Sequence, residues 1–283
     1  MNTIRSLVAR YPVQSFFGLS FLIAWGIWIP AGLSQAGLGS ALTLLGAWAP
    51  TLSAVLLTTL LGGTAGLRAW LGRALRWRVN LIWYGVAMFS MGLIAAAAIG
   101  LHVLLGGAAP ALTLPPDVPP DIWYVVLPII LLINVFFGGP IAEEFGWRGF
   151  AQPRLQEKLG ALPASLLIGV VWSLWHLPFF LFAGGASVVG NLPFPAFVLL
   201  TTAWAVLFAW VYNNSGGSVV LTILYHAAVN TTLGTLGLLQ PAGAGLRPLV
   251  FALLFSWAVI GVVTVVFGPA RLTRRVPAGS PAN

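Results

Sequence analysis

The chain has 283 residues, of which 59% are hydrophobic and only 6% are charged. An ordinary soluble domain has about 25% charged residues, so this chain has too little polar surface to keep a globule of its size in solution. The composition therefore predicts an integral, multi-pass membrane protein that is embedded in the lipid bilayer. The formal charge of +8 is not carried by a basic run interleaved with polar residues, so nucleic acid is not expected as a partner. Cysteine is absent, which excludes disulfides and thiol catalysis.

Eight apolar stretches are long enough to cross a bilayer, because a spanning helix needs about 20 mainly apolar residues. Gly, Pro, Asn or charged residues separate the stretches. Together they predict an all-α fold with one membrane domain over residues 1–283. The eight stretches run approximately over residues 15–34, 41–62, 80–106, 122–144, 162–183, 194–212, 217–238 and 248–268.

The basic residues sort to one side of this arrangement, and Lys and Arg in short loops favour the cytoplasm. With both termini in the cytoplasm, 12 of the 13 basic residues lie inside, and Arg247 lies outside with Asp117 and Asp121. We therefore expect eight spans with cytoplasmic N- and C-termini, and the preference for Arg over Lys favours a bacterial plasma membrane. The inside group is Arg5, Arg10, Arg68, Arg73, Arg76, Arg78, Arg148, Arg154, Lys158, Arg271, Arg274 and Arg275.

Two segments of the N-terminal third carry further interpretations. Residues 1–36 also fit a secretory signal peptide, with Arg5 and Arg10 as its charged start and small residues at 34–36 as its cleavage site. Their apolar stretch is nearer to a full span than to a signal core of about 7–15 residues. Residues 67–75 place apolar side chains on one helical face among arginines, and we expect this segment to lie along the cytoplasmic interface.

Ionisable and strongly polar residues inside the spans are few, and such residues are functional candidates because they are costly in lipid. Glu143 and Glu144 stand near the cytoplasmic end of the fourth span. His176 lies in the fifth span, and His226 and Asn230 lie in the seventh. These five residues are the candidate site.

Helical spacing separates the roles of the two acids. Glu144 and Arg148 are four residues apart, so they share a helix face and can pair, whereas Glu143 is turned by about 100° from Glu144. Glu143 is then free to act as a general base on water in a partly dry site. A structural interpretation has the acids marking a helix end at the headgroups, but two acids at a helix C-terminus would oppose the helix macrodipole.

The histidines follow the same logic. His226 and Asn230 are four residues apart, so they can present an imidazole and an amide to one small volume. His176 lies two residues before Pro178, which loosens the helix locally. Each intramembrane histidine is also compatible with a purely structural side chain that a neighbouring helix satisfies. His102, near the outer end of the third span, has no patterned partner and is interpreted as interfacial.

These residues also carry a family resemblance. Residues 143–148 read Glu-Glu-x-x-x-Arg, residues 172–176 read aromatic-x-x-x-His, and residues 226–230 read His-x-x-x-Asn. In this order on separate spans, they resemble the motifs of the CPBP family, the Abi-type CAAX proteases related to the Ras-converting CAAX endoprotease. The resemblance covers about residues 122–238, which we expect to be the catalytic core. The second motif usually begins with Phe, so Trp172 is a mild departure that is not expected to touch the catalytic position.

The resemblance implies an intramembrane endopeptidase that hydrolyses a peptide bond of a membrane-associated or prenylated, CAAX-type peptide. It implies that Glu143 and His176 activate the attacking water. His226 and Asn230 would then stabilise the tetrahedral oxyanion, while Glu144 and Arg148 would support the geometry of the site. The physical requirements agree, because peptide hydrolysis needs a base, a donor for the developing negative charge and restricted water.

Two cofactor assignments stay open, because members of the family are described both as metalloproteases and as glutamate-dependent enzymes. Glu143, His176 and His226 offer the three ligands that a catalytic zinc, or another divalent metal, needs beside one open position. Assigning the third motif to the oxyanion leaves only two strong ligands, which favours water activation with no metal.

Functions from other classes also stay open. The same fold can serve as a non-catalytic membrane scaffold or a bacteriocin immunity protein, which binds peptides without cleaving them. A proton or cation transporter would use Glu143, His176 and His226 as its path. The sequence shows no second polar station across the outer half of the membrane and no repeat of two halves, which disfavours the transporter.

Helix dimensions add one requirement. His176 comes about 14 residues into its span, roughly 21 Å along the axis, whereas Glu143 is near the end of the fourth span. The two meet only if the fourth span is tilted or continues past Arg148, or if the fifth span starts later. We expect one of these arrangements, with Glu143, His176, His226 and Asn230 lining one cytoplasm-facing cavity.

Overall fold

The computed structural model describes residues 2–34, 38, 40–115, 118–238 and 245–274, which are mostly helical and contain no strand. Asp117 and Arg275, used in the topology argument, lie outside the described residues, as do Gln35 and Ala36 of the possible cleavage site. In chain order, the α-helices are α1 (Asn2–Arg10), α2 (Pro12–Leu33), α3 (Ser40–Ala47), α4 (Ala49–Ala74), α5 (Leu81–Leu104), α6 (Trp123–Phe137), α7 (Pro140–Gly146), α8 (Gln152–Leu159), α9 (Ala161–Trp175), α10 (Pro178–Leu181), α11 (Ala186–Val189), α12 (Phe194–Asn214), α13 (Val219–Thr235) and α14 (Arg247–Phe267).

Each of the eight predicted stretches corresponds to helix, and the chain is a helical, polytopic membrane protein. Within the described residues, five helical segments are long and apolar enough to cross a bilayer: α2, the α3–α4 unit over Ala41–Ala74, α5, α12 and α14. The fourth stretch is a bent pair, and the fifth and seventh are the shorter apolar helices α9 and α13. The cytoplasmic placement of the termini stays a prediction.

The fourth span is broken by a pair of glycines. Helix α6 ends at Phe137, and Gly139 adopts a φ of 96°, which L side chains rarely adopt. The next helix starts at Pro140, where the missing N–H of proline is harmless. The two parts meet at 50°, and the second runs through a π-helical turn (Trp147–Ala151) and α8 to Leu159. The helical path thus continues past Arg148, which is one of the arrangements that allow Glu143 and His176 to meet.

Helices α9 and α12 pack closely through small side chains, and most residues of α12 are buried. Gly169 of α9 faces Thr202 and Ala205 of α12. One turn later, Ser173 is hydrogen-bonded to Thr201 of α12 and donates to the Gly169 carbonyl, 2.7 Å away. Small residues at such positions let two membrane helices approach closely. This contact positions α9, the helix that precedes His176.

Helix α2 packs against the helices that carry the motifs. Phe16 stacks on Phe150 and meets Trp147 edge-on, with ring centroids 5.3 and 5.4 Å apart. Trp28 packs on Trp175 at 4.5 Å. Both Phe16 and Trp28 are buried, so α2 forms part of the core. This arrangement favours a retained span over a signal peptide.

Residues 67–75 form the last part of α4, after a break at Gly63, where φ is 59°. Trp70, on the predicted apolar face, is buried, and its indole N–H donates to the Gly149 carbonyl, 2.9 Å away. The segment therefore packs on the π-helical turn of the protein as well as carrying exposed arginines.

The interfacial position of His102 stays a prediction, but the residue has a partner that its spacing did not predict. Its side chain is buried, and Arg247 donates from Nε to Nδ1 of the imidazole over 2.9 Å. Nε2 of His102 lies 3.0 Å from the Ala108 carbonyl, to which it donates. The histidine therefore ties α5 to the start of α14 through the one basic residue predicted on the outer side.

We predict that Gly169→Ala lowers the melting temperature of the detergent-solubilised protein, because the added Cβ would collide with Cα of Thr202. Overpacking of this kind typically costs about 1–3 kcal/mol. Gly92→Ala in α5 is the matched control, since a Cβ there meets nothing within 4 Å. Thermal unfolding followed by circular dichroism measures both variants, and equal melting temperatures would contradict the close α9–α12 contact.

Candidate active site

The two acids lie at the beginning of a helix and not at its end. The break at Gly139 places Glu143 in the first turn of the helical run Pro140–Leu159. The start of a helix carries partial positive charge, which stabilises a carboxylate. The predicted position at a helix C-terminus is therefore wrong, and the macrodipole no longer argues for or against a functional role. The role of the acids has to be judged from their contacts.

Glu144 contacts two partners, of which Arg148 is the cation. The predicted pair with Arg148 is present, with Nη1 donating to Oε1 over 2.9 Å and both side chains fully buried. Nδ1 of His226 lies 3.0 Å from the same oxygen, a contact that the sequence did not predict. The guanidinium of Arg148 also lies 4.8 and 5.3 Å from the ring centroids of Phe208 and Trp172. Glu144 thus links the fourth predicted span to the seventh.

Glu143 has a different environment. No cation forms an ion pair with it within the described part of the chain. Its Oε2 accepts a hydrogen bond of 2.7 Å from the indole N–H of Trp172. The expectation that Trp172 does not touch the catalytic position is therefore wrong. An indole carries an N–H donor that a phenyl ring lacks, and here the donor reaches the carboxylate.

His176 directly follows α9, whose last residue is Trp175. Its Nδ1 lies 2.9 Å from the carbonyl oxygen of Trp172. Because a carbonyl only accepts, Nδ1 carries the proton and Nε2 of the neutral ring is left as an acceptor. Ring contacts with Trp175 and Phe197, at 4.8 and 5.3 Å, orient the imidazole.

Asn230 lies one helical turn after His226 on α13, as its spacing predicts. Its Nδ2 donates to the Gly138 carbonyl over 3.2 Å. The amide thereby ties α13 to the glycine break in the fourth span. Since an amide nitrogen carries two N–H groups, one donor remains for another partner.

One cavity of about 480 Å³ is lined by Glu143, His176, His226 and Asn230, as predicted from the helix dimensions. Seven aromatic side chains, among them Trp28 and Trp204, form part of the remaining wall. Thr43 and Ala47 of α3 also line the cavity, so the first two predicted spans, which carry no family motif, contribute to it. Whether the cavity faces the cytoplasm stays a prediction.

Comparison with known proteins bears on the same region. A family model described as Type II CAAX prenyl endopeptidase Rce1-like matches residues 125–232. CAAX prenyl protease 2 of Methanococcus maripaludis is 22% identical over 245 residues, which make up 82% of this chain and 87% of that protein. Both comparisons indicate similarity to CAAX proteases over this part of the chain. The matched range contains all four candidate residues that line the cavity.

The three residues that could ligate a metal do not gather into a metal site in the described structure. Glu143, His176 and His226 do not form a group that could hold an ion, nor do any other His, Cys, Asp or Glu side chains in the described ranges. Nδ1 of each histidine is bonded, to the Trp172 carbonyl in one case and to Glu144 in the other, which leaves Nε2 of each ring for a further partner. The chemistry below is therefore derived from the protein groups alone.

Two residues of the cavity wall were missed by the sequence analysis. Trp172 was identified as part of a motif, but its donor function depends on its orientation towards α7. Asn134 lines the cavity and donates from Nδ2 to Oγ1 of Thr231 over 2.9 Å. Asn134 is the one amide side chain in the apolar run of α6, and that isolated polar residue was the signal available in the sequence.

Proposed function

We propose that this chain is a CAAX-protease-type intramembrane endopeptidase that acts on a membrane-associated or prenylated, CAAX-type peptide. The observation that carries the proposal is the position of Glu143, a carboxylate without a cation in the described structure, in one cavity with His176, His226 and Asn230. The family description and the name of the archaeal relative, CAAX prenyl protease 2, supply the reaction class and the substrate class.

Glu143 acts as the general base in this proposal. The indole N–H of Trp172 is bonded to Oε2 of Glu143. Oε1 of Glu143 lies so close to Gly139 that a Cβ at position 139 would collide with it. A water in the cavity donates one proton to the Glu143 carboxylate and the other to Nε2 of His176. Its remaining lone pair is then free to attack the carbonyl carbon of the scissile peptide bond, while Glu143 takes the proton.

The developing oxyanion needs hydrogen-bond donors. Asn230 offers its second amide N–H, and His226 offers Nε2–H when the ring carries both protons. Glu144, bonded to Nδ1 of His226, balances the charge of that form. When the tetrahedral intermediate collapses, Glu143 returns its proton to the leaving amine nitrogen, so the base regains its starting state.

The aromatic wall supports this chemistry. Trp28, Trp172 and Trp175 line the cavity and are buried, so apolar groups surround the reacting groups. An apolar surrounding lowers the local dielectric constant, which strengthens the electrostatic interactions of the base and of the oxyanion donors. Such a cavity also suits a substrate with a hydrophobic chain close to its scissile bond.

We expect Glu143→Gln to lower kcat/KM at least 100-fold, because a general base contributes about 100-fold to 10,000-fold. Purified protein in liposomes is incubated with a panel of prenylated and unprenylated peptides, and products are identified by mass spectrometry. Asp121→Asn is the matched control, since Asp121 lies in a short helical turn outside the cavity.

Two results would contradict the proposal in different ways. Cleavage that Glu143→Gln leaves unchanged would remove Glu143 from the mechanism. Peptide binding without cleavage by the parent protein would instead identify a scaffold or immunity protein on the protease fold. Comparing prenylated with unprenylated peptides decides the substrate class in the same assay.

We further expect cleavage to survive exhaustive dialysis against chelators, because the donor set does not gather around a common point. Initial rates are compared before and after chelation. Loss of activity that a single divalent ion restores would overturn this expectation and make Glu143, His176 and His226 metal ligands.

Trp172 is a positioning residue in this mechanism, because it holds the base. Trp172→Phe removes the indole N–H and retains an aromatic ring, and hydrogen bonds to charged groups contribute about 1.5–3 kcal/mol. We expect kcat to fall about tenfold or more with little change in KM or melting temperature. Trp210→Phe is the matched control, since the Trp210 N–H has no partner among the described residues and lies outside the cavity. Equal kcat values for the two variants would show that the hydrogen bond has no role.

A further inference from the structure

A second cavity, of about 1030 Å³, lies at one end of the helix bundle. Helices α4, α12 and α14 end beside it, and α13 begins there. It shares no lining residue with the candidate active site. Since membrane helices end at the level of the lipid headgroups, this cavity lies at that level.

The cavity is strongly basic. Four arginines line it: Arg73 in the last turn of α4, Arg76 just after that helix, Arg154 in α8 and Arg271 in the segment after α14. Glu157 is the only acid in the lining. No carboxylate of the described residues forms an ion pair with any of the four guanidinium groups. Like charges gathered in one cavity repel one another, and a bound anion relieves that repulsion.

Hydrogen bonds hold the walls of this cavity in place. Arg76 donates from Nη1 to the Gly216 carbonyl over 3.0 Å, which ties the end of α4 to the start of α13. Asn213 donates from Nδ2 to the Arg271 carbonyl over 2.8 Å, which ties α12 to the segment after α14. The arginines therefore project from a connected framework and not from independent loops.

The positive-inside rule explains the side of the membrane on which these arginines are predicted, but not their convergence. Arg5, Arg10, Arg68 and Arg78 are predicted on the same side, and none of them lines the cavity. Topology would be satisfied equally well by arginines spread around the bundle. Their gathering around one space needs a separate reason.

We propose that this cavity binds an anionic phosphate group, either that of a phospholipid headgroup or free phosphate. Guanidinium groups present several N–H donors in a geometry that matches phosphate oxygens. Basic pockets between helix ends at a membrane surface suit anionic headgroups. The proposal does not depend on the endopeptidase activity, and either can fail without the other.

Native mass spectrometry of the full chain in detergent tests the proposal. The protein is titrated with phosphatidylglycerol, with zwitterionic phosphatidylcholine of the same acyl chains, and with inorganic phosphate as a competitor. We expect phosphatidylglycerol to bind at least tenfold more tightly than phosphatidylcholine. Displacement by phosphate, against chloride at equal ionic strength, identifies the small anion as a sufficient ligand. Resistance to it identifies the lipid headgroup.

Two double variants with the same charge change separate this site from general surface charge. Arg73→Gln with Arg271→Gln removes two arginines of the cavity, and we expect roughly 30-fold weaker phosphatidylglycerol binding. Arg68→Gln with Arg274→Gln removes two arginines from the same two segments outside the cavity, and we expect less than a threefold change. Equal weakening in both variants, or none in either, would overturn the proposal. Circular dichroism and size-exclusion chromatography establish that both variants are folded.

Discussion

The double contact of Glu144 with Arg148 and His226 is the interaction on which the geometry of the site depends. A carboxylate buried among apolar helices is stable only when charge partners and hydrogen bonds replace its water. Because one partner comes from the π-helical turn and the other from α13, the two contacts at Oε1 of Glu144 fix the relative position of both. Removing one member of such a buried group typically costs about 3–5 kcal/mol. Glu143 next to it forms no ion pair with the described residues.

The local features of this fold could be predicted from the sequence, and the long-range contacts could not. The eight apolar stretches are helices because hydrophobicity over about 20 residues is a local property. The pair of Glu144 and Arg148 follows from spacing within one helix. The contact of His226 with Glu144 joins residues 82 positions apart, and that of His102 with Arg247 joins residues 145 positions apart. The spacing of polar and apolar residues along the chain does not predict contacts between residues so far apart in the sequence.

The glycine break shows why helix boundaries matter as much as helix identity. Treating residues 122–144 as one continuous span put the acids at a helix end, whereas the positive φ of Gly139 makes them the start of the next helix. The same break turns the helical run past Arg148 and brings Glu143 beside Trp172. Two glycines followed by proline were visible in the sequence, but their effect depends on where the bend directs the chain.

The distance in sequence between Glu144 and His226 has a consequence for how the protein is made. The ribosome completes Glu144 and Arg148 well before α12 and α13 exist, so the nascent chain carries the carboxylate with a single partner. Helix α12 is largely buried in the finished bundle, and two of the helices that pack on it, α13 and α14, follow it in the chain. Synthesis of α13 is the step that adds His226, and with it the second partner of Glu144 and the last wall of the candidate cavity.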